Sequence, residues 1–82
     1  MTRDEIRAAV LAALGDVAPE ADLAALASDA ELREVLDLDS MDFLGVVQRI
    51  AAATGVEVSE ADYARLATLG GCVEYLAART GE

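Results

Sequence analysis

Three stretches of this 82-residue chain repeat apolar residues at the helical period, and only Val56-Glu57-Val58 reads as extended. Three residues are too few to build a sheet, so the core must close helix against helix. In the first stretch Ile6, Val10, Leu11 and Leu14 share one face. Thr2 and Glu5 form a capping box ahead of them, and Gly15 offers a stop. In the second, Val47, Ile50 and Ala51, with Phe43 and Val46 nearby, supply a broad apolar face. That helix is expected to start at Ser40 or Met41, with Asp39 or Ser40 as its cap, and to run to Thr54, before Gly55. Asp42 in its first turn suits the positive end of the helix dipole. In the third, Leu69, Cys72, Val73, Leu76 and Ala77 follow Thr68, which can cap them.

Shorter elements fill the gaps. Ser59-Glu60-Ala61-Asp62 is another capping signal and opens a brief helix carrying Tyr63 and Leu66. Residues 16–39 read as a long loop, marked by Pro19 and scattered acids, with a short helical turn around residues 30–36. Leu23, Leu26, Leu32, Val35 and Leu36 within it must return to the core. A loop of this length in so small a domain packs against the helices or serves a function. The expected fold is all-α: one domain over residues 1–82, built as a bundle of three main helices and one short helix.

Composition narrows the function. The chain is 55% hydrophobic but only 4% aromatic, so Leu, Val, Ile and Ala must build the core. Six basic residues against sixteen acidic ones give a formal charge of −10. That surface repels phosphate backbones and anionic lipid, so neither nucleic acid nor membrane is expected as a partner, and it draws in basic protein surfaces. The same charge also keeps a small protein soluble. The charged start Met1-Thr2-Arg3-Asp4-Glu5 leads straight into a helix, without a signal peptide or a spanning segment, so a cytoplasmic protein is expected. Cys72 is the lone cysteine and lies on an apolar stripe, as a buried structural thiol does.

Ser40 is the candidate functional residue, within Leu36-Asp37-Leu38-Asp39-Ser40-Met41-Asp42-Phe43-Leu44. Neither histidine nor lysine exists in the chain to activate it as a nucleophile, but another enzyme can still modify it. A calcium loop starting at Asp37 fails, because its fifth, sixth and twelfth positions hold Met41, Asp42 and Gln48. Metal catalysis lacks histidine and a second cysteine, and no spacing singles out a carboxylate pair for acid–base work. No enzymatic activity of its own is expected.

An amphipathic helix and a long acidic loop precede Asp39-Ser40-Met41, the loop ending in Leu32-Arg33-Glu34-Val35-Leu36-Asp37-Leu38. Downstream come Gly55-Val56-Glu57-Val58, Leu66-Ala67-Thr68-Leu69 and Val73-Glu74-Tyr75-Leu76. Over essentially the whole chain this arrangement resembles the acyl carrier protein family. The resemblance implies an antiparallel bundle with the modified serine, Ser40, at the N-terminus of the second helix. There it would bear 4'-phosphopantetheine taken from coenzyme A, whose thiol holds acyl or aminoacyl groups as thioesters. Asp39 falls where the family makes Mg²⁺ and transferase contacts during loading. The implied partners are a phosphopantetheinyl transferase and acyl-loading or acyl-transferring enzymes of the ligase, ketosynthase or acyltransferase type, meeting a monomeric carrier.

The resemblance implies work in fatty-acid-like, polyketide or other secondary-metabolite biosynthesis. Departures from the family pattern point to a specialised stand-alone carrier of secondary metabolism, or of an unassigned pathway, over the housekeeping one. Asp37 stands where the family usually has glycine, three residues before the serine. Beyond Asp42 the second helix has no acid; Gly45, Gln48, Arg49, Ala51 and Ala52 occupy positions where glutamates are common. Gly45 costs about 1 kcal/mol in helix propensity relative to alanine. The expected docking surface therefore comprises Asp37, Met41, Asp42 and Leu44, with Gln48 and Arg49 further along. The alternative is an acidic helical interaction module with a carrier-like fold and an unmodified Ser40.

Overall fold

The computed structural model describes residues 1–80. Helix α1 spans Arg3–Val17, α2 Leu32–Val35, α3 Ser40–Thr54 and α4 Leu69–Thr80, with 3₁₀ segments at Leu23–Ala25 and Glu60–Leu66. No strand forms among the described residues; a lone antiparallel bridge joins Glu31 to Thr68. The fold is an all-α bundle in which α1 packs on both α3 and α4. Its centre comprises Ile6, Val10 and Leu14 from α1, Val46, Val47 and Ile50 from α3, and Leu69, Cys72 and Leu76 from α4. Those are the faces that the helical period picks out. Tyr75 is also buried, off the expected stripe; its hydroxyl donates to Asp62 Oδ2 at 2.7 Å, tying the second 3₁₀ segment to α4. That hydrogen bond, ahead of burial, holds the phenol above its ordinary pKa.

The capping signals operate as expected. Thr2 Oγ1 accepts the Glu5 amide at 3.1 Å while Glu5 accepts the Thr2 amide at 2.7 Å. Those Thr2 hydrogen bonds lower the Glu5 pKa. Thr68 Oγ1 accepts the Gly71 amide at 2.9 Å. Gly71 is also sterically required, because a Cβ there would lie 2.5 Å from the Arg65 carbonyl oxygen.

Three expectations need correction. Gly15 does not stop α1, which runs on to Val17 and is capped by Ala18 at φ −126°, ψ 70°. Ala18 precedes Pro19, whose ring disfavours helical geometry in the preceding residue, so the proline ends the helix. Val35 does not return to the core and is 57% exposed. The single turn of α2 buries Leu32, and Leu36 and Leu38 fill the space beyond it, leaving Val35 outside. The short turn expected around residues 30–36 forms as α2, but the loop also holds a 3₁₀ segment at Leu23–Ala25, where the sequence predicts irregular chain.

The end of α2 sets the approach to Ser40. The Leu38 amide donates to the Arg33 carbonyl at 2.9 Å and the Asp37 amide to the Glu34 carbonyl at 3.4 Å. This is the 6→1 and 5→2 pairing of a Schellman motif, with Asp37 at the left-handed position, φ 53°. Asp37 therefore occupies a conformation that favours glycine, the residue the family usually has there. Asp37→Gly is expected to stabilise the protein by about 1 kcal/mol, raising Tm by about 4–8 °C. Asp37→Ala removes the same charge but keeps a Cβ, and should give no gain. Equal gains in thermal melts of both variants would assign the effect to charge relief and contradict the conformational account.

Candidate functional site

Asp39 caps α3, with φ −82° and ψ −178°. Its Oδ1 accepts the Asp42 amide at 2.8 Å, and Asp42 Oδ2 accepts the Asp39 amide at 3.3 Å. The two carboxylates thus form a reciprocal capping box, and Ser40 is the first residue inside the helix. Its hydroxyl is not needed as the cap. It is exposed and accepts a hydrogen bond from Arg33 Nη2 at 3.2 Å. Among the described residues the Ser40 and Met41 amides have no protein acceptor, as is common for first-turn amides. They and the helix dipole make the surroundings of the hydroxyl favourable for an anion.

The other expected site residues fall into two rows along α3. Met41, 81% exposed, Leu44, 38% exposed, and Gln48 occupy the face opposite the buried Phe43, Val46, Val47 and Ile50. Met41 and Leu44 are, with Val35, large apolar side chains that the surface leaves exposed. Asp42, Gly45 and Arg49 form the second row, turned towards the end of α1. There Arg49 pairs with Asp16 at 3.7 Å and donates to the Gly45 carbonyl at 3.1 Å. A Cβ on Gly45 would lie 3.2 Å from Arg49 Nη1 and 3.8 Å from Val17 Cγ2, so α1 and Arg49 cover this glycine. Asp37 and Asp42 border an open cleft floored by Val17, Leu26 and Leu36.

Sequence reasoning did not select Arg33. Its guanidinium lies 5.7 Å from the centre of the Phe43 ring as well as on Ser40. Seven residues separate Arg33 from Ser40, which matches no contact spacing of a single helix. Only the reversal of the chain after α2 brings them together.

Cys72 is buried, and its thiol donates to the Leu66 carbonyl at 3.4 Å. Burial pushes its pKa up to about 12. The native thiol is therefore protonated and inert near neutral pH. Because the folded value lies above the unfolded one, the associated stability is complete below about 9 and is lost as pH rises towards 12.

A helical bundle presenting an exposed serine at an anion-favouring helix start is compatible with a carrier of a covalently attached phosphorylated group. The family model for phosphopantetheine attachment sites matches residues 4–76, and the chain belongs to that family. It is a carrier protein to which 4'-phosphopantetheine is covalently attached. No curated protein matches the sequence. No helix among the described residues is long and apolar enough to cross a membrane.

Proposed function

We propose that Ser40 is the attachment residue and that the protein carries acyl or aminoacyl groups in fatty-acid-like, polyketide or other secondary-metabolite biosynthesis. The observation that carries this reading is the division of labour at the start of α3. Asp39 and Asp42 cap the helix, leaving the Ser40 hydroxyl exposed beside two amides that have no protein acceptor among the described residues. The residues fit the group: those amides and Arg33 can face its phosphodiester, and Ser40 itself is exposed. When bound, the arm supplies a terminal thiol that holds the cargo as a thioester. The chain contributes position and charge, while chemistry is left to partner enzymes of the ligase, ketosynthase or acyltransferase type.

The buried Cys72 makes a direct test available. Native protein should show no fast-reacting thiol towards a disulfide reagent near pH 8. After treatment with coenzyme A and a phosphopantetheinyl transferase it should show one, contributed by the arm. An unchanged thiol count after treatment argues against loading, and a reactive thiol beforehand would mean that Cys72 is not sequestered.

Docking follows from the two rows on α3. Partners reaching Ser40 meet the exposed apolar side chains of Met41 and Leu44, with Gln48 further along the helix, flanked by Asp37, Asp39 and Asp42. Asp42→Asn keeps an acceptor for the Asp39 amide but removes a charge. It should lower kcat/KM for loading about two- to fivefold at low salt, and the deficit should shrink as salt is added. Met41→Ala should weaken loading without changing its salt dependence, because the lost contact is apolar. Identical salt profiles for wild type and Asp42→Asn would remove the electrostatic part of this docking account. Arg49→Glu is a poorer probe of this surface, since it would set two carboxylates together at Asp16.

A further inference from the structure

A new negative charge at Ser40 would arise among Asp37, Asp39 and Asp42, in a chain already at −10. One cation is placed to meet it. Arg3 pairs with Glu74, Arg49 with Asp16 and Arg79 with Asp62. Arg65 lies over the Tyr75 ring, and neither Arg65 nor Arg7 is hydrogen-bonded to Ser40 among the described residues. Arg33 forms no ion pair within 4 Å among the described residues, and the polar partner of its guanidinium is the Ser40 hydroxyl. Two further contacts hold it in place. The Phe43 ring lies beneath the guanidinium, and the Arg33 carbonyl accepts the Leu38 amide, fixing the backbone two residues before Ser40.

We propose that Arg33 is an arm-positioning residue whose guanidinium binds a non-bridging oxygen of the phosphodiester on Ser40. This rests on Ser40 being the attachment residue. The hydrogen bond from the guanidinium to a neutral hydroxyl in the unloaded protein becomes, after loading, one between two opposite charges, which is stronger. The pairing offsets repulsion from the three aspartates and inclines the first atoms of the arm towards α2 and Phe43. The stripe of Met41, Leu44 and Gln48 then stays open to partners while the arm is attached.

The test compares wild type, Arg33→Gln and Arg33→Lys, each treated with coenzyme A and a broad-specificity phosphopantetheinyl transferase and checked for complete loading by intact mass. Loading should raise the Tm of wild type by about 2–5 °C more than it raises that of Arg33→Gln. The ³¹P signal of loaded wild type should differ from that of loaded Arg33→Gln at low salt and move towards it as salt is added. Arg33→Lys should keep part of the difference, since it retains charge but loses the planar fork. Equal changes in Tm and coincident ³¹P signals in fully loaded proteins would overturn the proposal. Should Arg33→Gln fail to fold, the wild-type titration decides alone, and a ³¹P signal insensitive to salt counts against Arg33. Failure of wild type to load at all is registered earlier, in the mass measurement, and removes the assignment of Ser40 itself.

Discussion

Ser40→Ala should leave a folded protein that coenzyme A and a phosphopantetheinyl transferase cannot modify. The fold survives because the substitution removes nothing the helix uses. Asp39 and Asp42 hold the capping box, and alanine is a better helix former than serine. The hydrogen bond from Arg33 is exposed, so the change in stability should stay within about 0.5 kcal/mol. Loss of loading, by contrast, should be complete. Ser28 and Ser59 are the other serines, and neither combines an acidic neighbour with the first turn of a long helix. Gain of the arm's mass by the Ser40→Ala protein would contradict the assignment.

Ile50→Ala should give the largest stability loss of the changes considered, about 2–5 kcal/mol. Ile50 is fully buried in α3, on the face that packs against α1. Its truncation forfeits the transfer of three carbons from water and leaves a cavity that surrounding helices fill only in part. A domain of this size has little stability to lose, so the same change should lower Tm by at least about 10 °C. Gln48→Ala, on the exposed face of the same helix, should change stability by no more than about 0.5 kcal/mol. Similar melting temperatures for the two variants would mean that α3 is rotated from the orientation described.

The helix faces are legible in the sequence because burial follows the 3.6-residue period. Ile6, Val10, Leu14, Ile50, Leu69 and Leu76 can be placed without coordinates, and so can Asp39, Ser40 and Asp42 at the start of α3. What escapes that reasoning depends on chain reversal. Gly15 looks like a stop, yet glycine is compatible with a helix interior, and Pro19 acts through the residue before it. Val35 looks like a core residue because it is apolar, but a one-turn helix has only a narrow buried face, which Leu32 takes. Asp37 adopts a left-handed conformation that its side chain does not advertise. Arg33 reaches Ser40 only because the Schellman turn folds the chain back on itself. Local periodicity determines which faces meet, whereas the contacts around Ser40 are set by the geometry of the loop that delivers it.

The most direct measurement is the intact mass of wild-type protein after incubation with coenzyme A and a broad-specificity phosphopantetheinyl transferase, followed by fragmentation to locate the addition. The account predicts one added arm per chain, carried on Ser40. No gain in mass, or an arm found on any other residue, would contradict it.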